Sequence, residues 1–210
     1  MWKTHKRTIV LTLLLSLLPI AAGLLLWDQL PDQVATHFGA NGEPNGWSSK
    51  AFAVFGLPVI IAGCELLCAV FTFIDPKSDN ITPKIMTLVL WLMPALSWIV
   101  MGMEYAYALG KKINIMAILC LFIGFMFILL GNYLPKVKQN YTVGVKVAWA
   151  LNDEENWNHT HRFSCYVFIL CGIVIAAAGL LGCLWLLCTA IAAAAVAPVL
   201  YSYIYYRKHL

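Results

Sequence analysis

Charged side chains are scarce in this 210-residue chain: Lys, Arg, Asp and Glu make up 11% of it, against about 25% in an ordinary soluble domain. With 61% hydrophobic residues and a mean hydropathy of +0.79, a soluble fold of this length could not hide its apolar surface. That excludes a soluble globular class and points to a polytopic membrane protein whose first partner is the lipid bilayer. No basic stripe interleaved with exposed aromatics occurs on a soluble domain, which argues against direct nucleic-acid binding. The polar loops carry no cysteine. All seven, at 64, 68, 120, 165, 171, 183 and 188, fall in apolar segments, where they read as small apolar fillers rather than disulfide staples. Cys64 and Cys68 stand one helical turn apart but have no nearby His or Cys to complete a metal site. No Ser/His/Asp or Cys/His nucleophile set and no phosphate-cradling glycine loop is evident, so neither a catalytic residue nor a cofactor is expected.

The apolar runs set the architecture. Residues 1–7 are a short basic start, and residues 8–26 follow without a charge. That run matches the roughly 20 residues a spanning helix needs and exceeds the roughly 7–15-residue core of a signal peptide. A retained first helix is expected, kinked at Pro19. Residues 28–50 form a polar loop dense in turn formers. Further spans are expected at 51–74, with Pro58 inside, at 85–109, with Pro94 inside, and at 113–130. Residues 131–162 are the longest polar interval in the chain. The uncharged run at 163–206 is too long for one span and right for two, with the break near residues 179–182. The fold class is therefore an all-α integral membrane protein of six transmembrane helices. It divides into residues 1–75, with the motif loop at 28–50, and residues 76–210, with the motif loop at 131–162.

An even number of spans puts both termini on one side. Of the 14 Lys and Arg, all but Lys50, Lys111 and Lys112 fall on that side. The positive-inside bias makes the termini and the 131–162 interval cytoplasmic and turns the 28–50 loop outward.

Two acids lie inside spans. Glu65 sits near the middle of the second, where a carboxylate costs a few kcal/mol even on lenient scales. It must be neutral, paired, or facing a wet cavity. One reading is a proton- or ligand-linked site; the other is a Glu hydrogen-bonded to a neighbouring helix. Glu104 lies about a turn from the outer end of the third span, where water should reach it. With the two helices antiparallel and Glu65 roughly 21 Å below its own outer end, a direct carboxylate pair is not expected. His37 faces outward and His159 and His161 inward, so a shared metal site would need a re-entrant loop.

The 131–162 interval contains a helix start: Asn152 as cap, Glu155 three residues on, and Asp153 and Glu154 in the first turn, where acids suit the helix dipole. Trp149 and Trp157 flank it as expected interface anchors. The segment reads as an amphipathic helix on the inner leaflet leading into the fifth span, or as a docking surface or ligand-site floor.

Two blocks carry a resemblance. Residues 30–52, LPDQVATHFGANGEPNGWSSKAF, resemble the leading domain of unknown function found in many bacterial membrane proteins. Residues 131–136 (GNYLPK), 140–146 (NYTVGVK) and 149–162 (WALNDEENWNHTHR) resemble the signature of the SdpI/YfhL family of toxin-immunity membrane proteins. The match departs at Val147, Ala148 and Ala150, where the family favours Thr and Pro, and at Asn156, which replaces an apolar residue. The resemblance implies a non-enzymatic protein that protects a bacterium against a membrane-active peptide toxin. Some such proteins also signal by capturing a cytoplasmic transcriptional repressor. By motif, Asn132, Pro135, Lys136, Asn140, Gly144, Lys146, Trp149, Glu155, Trp157, Thr160, His161 and Arg162 would form the inner site. Pro31, His37, Asn41, Gly42, Trp47 and Lys50 would form the outer one. Two other functions remain open on the residues alone. One is a small proton-linked transporter or flippase using Glu65, with helix-interior prolines. The other is a metal-dependent membrane peptidase using the histidines.

Overall fold

The computed structural model describes residues 2–39 and 41–209. Among the described residues, six helical stretches are long and apolar enough to cross a membrane: His5–Leu25, Phe52–Phe73, Pro83–Ala108, Ile115–Lys136, Glu154–Leu181 and Leu184–Lys208. The expected number of spans is thus present. The chain forms two compact units, Met1–Phe73 with Met86–Ile115, and Ile74–Ile85 with Met116–Leu210.

The first unit opens with α1 (Trp2–Leu17) and α2 (Pro19–Leu25), so the run breaks where Pro19 was expected to kink it. Proline has no N–H, and the carbonyl four residues before it loses its helical donor. That carbonyl belongs to Leu15, and the indole Nε1–H of Trp98 donates to it at 3.1 Å. Ser97 Oγ donates to the Ser16 carbonyl at 2.7 Å, and Tyr105 OH to the Pro19 carbonyl at 3.2 Å. Side chains of the third span thereby satisfy backbone groups around the break.

After α2 the chain is not all helix, which corrects the all-α expectation. Residues of the turn-rich loop form an antiparallel hairpin, β1 (Gln33–Phe38) and β2 (Pro44–Ser49). Val34, Thr36 and Trp47 suit strands, and the Gly and Asn residues that read as loop formers supply the turn between them. Val34 and Ala35 are buried, and Phe38 meets Tyr107 edge-on with centroids 5.2 Å apart. A π-helical turn (Phe52–Gly56) then precedes α3 (Leu57–Phe73). The wider turn sits where Pro58 would otherwise press its ring on the carbonyl of residue 54. α4 (Pro83–Ala108) passes Pro94 without ending. Leu30, Val54, Met101 and Tyr105 form a buried cluster.

The second unit contains α5 (Ile115–Tyr133), a 3-10 turn (Leu134–Lys136), the short α6 (Ala148–Leu151), α7 (Glu154–Leu181) and α8 (Leu184–Lys208). α5 and α7 approach backbone to backbone: a Cβ on Gly124 would lie 2.5 Å from the Gly172 carbonyl oxygen. α7 ends at Gly182 in the left-handed conformation, φ 63°, within the expected break. Glycine takes that conformation without the steric penalty of a side chain. The expected surface helix does not exist as a separate element, because α7 runs unbroken from Glu154 into the span. Its cap is also one residue later than expected. Asp153, not Asn152, accepts from the Glu155 and Asn156 amides at 2.9 and 3.2 Å, since Asn152 has helical angles as the C-cap of α6.

Candidate functional site

The second unit gathers most of the inner motif around one irregular loop, residues 137–147. Asn140 is fully buried and makes four hydrogen bonds. Its Oδ1 accepts from the Thr142 and Val143 amides at 2.8 and 2.6 Å. Its Nδ2 donates to the Lys138 and Val143 carbonyls at 2.8 and 3.0 Å. A side chain that pairs this fully holds backbone groups that no helix or strand would satisfy. Asp75 adds a second anchor from another part of the chain. Its Oδ2 accepts from the Tyr141 amide at 2.8 Å and the Thr142 hydroxyl at 2.5 Å, while Oδ1 accepts from the Lys77 amide at 2.7 Å. Asn80 Nδ2 donates to the Gln139 carbonyl at 2.7 Å, and Lys77 Nζ bonds Gln139 Oε1. Sequence reasoning missed Asp75, Lys77 and Asn80; only an acid in a short turn between apolar runs marked the place.

The loop rests on α7. Trp157, completely buried, donates from Nε1 to the Val137 carbonyl at 2.8 Å and stacks on His161 with centroids 4.1 Å apart. This corrects its reading as an interface anchor: the indole finds its hydrogen-bond partner inside the protein. His161 Nδ1 lies 2.8 Å from the Trp157 carbonyl, and Nε2 accepts from the Val145 amide at 3.1 Å. A carbonyl on one side and an N–H on the other assign the neutral Nδ1–H tautomer. Between them Gly144 has φ 121°, and a Cβ there would run into both the His161 and Trp157 rings.

A third set joins α7 to α8. Asn156 Oδ1 accepts from Ser202 Oγ at 2.7 Å and Thr160 Oγ1 at 2.9 Å, and Asn156 Nδ2 donates to the Ser202 carbonyl at 3.1 Å. Trp149 Nε1 donates to Ser202 Oγ at 3.0 Å, and its ring meets Tyr203 and Tyr206. Ser202, set between Tyr201 and Tyr203 in the tyrosine-rich end of α8, was not singled out from the sequence. Asn156, one of the departures from the family pattern, is the hub of the network.

Asn140, Gly144, Trp149, Trp157, Thr160 and His161 are therefore brought together. Asn132, Pro135, Lys136, Lys146, Glu155 and Arg162 are exposed, as are Lys138 and Tyr141. Buried members shape the loop or tie α7 to α8, and half of the exposed ones, Lys136, Lys138, Lys146 and Arg162, are cationic.

The outer motif lies in the hairpin of the first unit. His37 Nδ1 is hydrogen-bonded to Asn45 Oδ1 across the strands, and Asn41 Oδ1 accepts from the Glu43 amide at 3.1 Å. Lys50 Nζ donates to the Trp27 carbonyl at 3.2 Å and pairs with Asp32 at 3.4 Å. Pro31 is exposed and Gly42 sits in the connecting turn. Trp47 is 57% exposed.

Glu65 is buried, and its Oε2 accepts from Ser16 Oγ at 2.6 Å while Oε1 has no partner. The neighbouring-helix reading is thus the geometry observed for one oxygen. Glu104 is also buried, at 3% exposure, with Oε2 unpartnered, which corrects the expectation that water reaches it. Leu30, just ahead of the hairpin, packs with Met101 and Tyr105 at that end of α4. Among the described residues, no group of three or more His, Cys, Asp or Glu stands close enough to hold a metal, and His37 belongs to a different unit from His159 and His161.

Comparison with known proteins bears out both blocks. Residues 14–62 match a domain of unknown function (DUF1648), and residues 136–202 match the SdpI/YfhL protein family. Over 202 residues the chain is 25% identical to the "Immunity protein SdpI" of Bacillus subtilis (strain 168), covering 95% of this chain and 96% of that protein. No solved structure matches. The chain is a multi-pass bacterial membrane protein that carries both regions its motifs resemble.

Proposed function

We propose that this protein confers immunity on the bacterium that makes it, by binding a membrane-active peptide toxin rather than by catalysis. The observation that carries the reading is end-to-end similarity to an immunity protein, together with an inner motif whose buried members shape one loop or join α7 to α8. Asn140, Trp157 and His161 spend their polar atoms on backbone partners. Residues used this way build a surface and do not act as nucleophile or base.

The distribution of Lys and Arg supports an orientation with both termini and the 131–162 interval in the cytoplasm and the hairpin outside. In that orientation the hairpin is where an arriving toxin is met. The loop held by Asp75 and His161, with Lys138, Tyr141, Lys146 and Arg162 exposed on and beside it, is where a cytoplasmic repressor docks and a signal leaves the membrane.

The test is survival. Cells of a toxin-sensitive strain expressing this chain should grow beside a strain that secretes the peptide, while cells with empty vector die. Equal killing of both, with the protein present in the membrane, would overturn the reading.

A further inference from the structure

The hairpin has an open edge. Among the described residues the sheet has two strands, so β2 pairs with β1 on one side alone. The bond from the Lys50 amide to the Asp32 carbonyl at 2.9 Å fixes the phase of the ladder. In an antiparallel pair, alternate residues point their N–H and C=O towards the partner. Ser48 and Lys50 therefore face β1, and the N–H and C=O groups of Trp47 and Ser49 face away from it. Among the described residues no backbone group of another strand or loop meets them; Ser49 also opens the helix that follows, its hydroxyl accepting from the Phe52 amide at 3.3 Å.

Natural edges are blunted by charge, an inward-pointing lysine, proline or a covering element. The β2 sequence, PNGWSS, carries no charge, and its one proline is the first residue. No β2 residue is buried, whereas β1 buries Val34 and Ala35. The interior side chains of the hairpin thus belong to β1, while every side chain of β2 stays at least partly exposed. The register irregularities lie around Ala35, His37 and Phe38, so the stretch Trp47–Ser49 stays regular. Trp47 is more than half exposed beside this edge, giving an approaching chain an apolar face at little entropic cost.

Local charge specifies the visitor. The chain carries a net +4, yet residues 28–50 hold Asp28, Asp32 and Glu43 against one base, Lys50. Lys50 is already committed to Asp32 and to the Trp27 carbonyl. Among the described residues Asp28 and Glu43 form no ion pair, so this loop is acidic; the other outward bases, Lys111 and Lys112, follow α4, whose end meets β1 through Tyr107 and Phe38.

We propose that the β2 edge receives an extended cationic peptide as a third strand, with backbone hydrogen bonds to Trp47 and Ser49 and basic side chains near Asp28 and Glu43. Strand addition takes affinity from main-chain bonds and specificity from alternate side chains. The inference rests on the immunity reading, for it names how and with what charge the toxin is met.

Proline at an outward-facing edge position removes one N–H and leaves the ladder intact. Ser49→Pro deletes the docking donor, and Ser49→Ala keeps it while losing the same hydroxyl. Each variant, in nanodiscs of zwitterionic phosphatidylcholine, is titrated with a short alternating Lys–Val peptide and with its Glu–Val counterpart. The wild type and Ser49→Ala should bind the Lys–Val peptide alike, Ser49→Pro about tenfold or more weakly, and none should favour the Glu–Val peptide. An Asp28→Asn, Glu43→Gln double variant should weaken Lys–Val binding while keeping the hairpin sequence of β2 unchanged, which covers the case of a Ser49→Pro chain that does not fold. Equal binding by Ser49→Pro and Ser49→Ala, or indifference to peptide charge, would overturn the proposal. So would a wild-type dimer that Ser49→Pro converts to monomer, for then the edge is filled by a second copy. If cells are protected equally well by Ser49→Pro and Ser49→Ala, the immunity reading survives and the strand-addition inference falls. If peptide binding follows the predicted order but cells die, the reverse holds.

Discussion

The Val145 amide donates to His161 Nε2 at 3.1 Å, and this bond, with the one from Trp157 Nε1 to the Val137 carbonyl, joins the motif loop to the first turns of α7. It works because Gly144, with φ 121°, lets the backbone lie against the imidazole and indole rings. An alanine there meets both a disfavoured backbone conformation and a ring clash, each costing about 1–3 kcal/mol. Gly144→Ala should lower the thermal midpoint of the detergent-solubilised protein and open the 139–146 loop to protease. His161→Phe keeps the stack but leaves the Val145 N–H unpaired, and should cost about 1–3 kcal/mol. If neither substitution changes proteolysis, the loop is not held as described.

Asp75 serves three donors with two oxygens. Asp75→Ala should release the segment around Tyr141 and Thr142 while the helices keep their circular dichroism. Asp75→Asn retains a single acceptor oxygen and should fall between. Hydrogen exchange at the Tyr141 amide, faster by more than about tenfold in the alanine variant, is the readout; an unchanged rate would contradict the anchoring role.

Asn156 and Ser202 share two hydrogen bonds across α7 and α8. A double-mutant cycle of Asn156→Leu and Ser202→Ala should show a coupling of about 0.5–3 kcal/mol, with the double variant less damaged than the two single losses combined. Strict additivity would mean the pair is not a unit.

Ser16 is the sole hydrogen-bond partner found for the Glu65 carboxyl among the described residues. Ser16→Ala leaves both Glu65 oxygens buried without a donor and should destabilise by about 1–3 kcal/mol. Replacing both partners, Ser16→Ala with Glu65→Leu, should recover part of that loss, because no buried polar atom then lacks a partner. Unfolding of the three variants in mild detergent decides it. A double variant weaker than Ser16→Ala alone would point to a role for the carboxyl beyond packing.

The spans were legible because a bilayer leaves one strong rule, about 20 apolar residues per crossing, and the breaks followed from Pro19 and Gly182. The hairpin was not, because its turn formers mask two short strands and a six-residue strand with Gly46 in it shows little alternation. Asn152 lost the cap to Asp153 for a local reason, since the one-turn α6 uses Asn152 as its own end. Trp149 and Trp157 look alike in sequence, as amphipathic rings near a membrane surface. Only the carbonyl of Val137, twenty residues away, makes Trp157 interior. Asp75 could not be found from sequence because its partners at 141 and 142 become neighbours only when the second unit folds.

Immunity by binding implies that the toxin is held without turnover. The purified protein in nanodiscs, mixed with the peptide toxin it protects against, should retain that peptide in stoichiometric amount, and mass spectrometry of the eluate should return it at its full mass. Accumulation of cleaved or chemically altered peptide, or no retention at all, would contradict it.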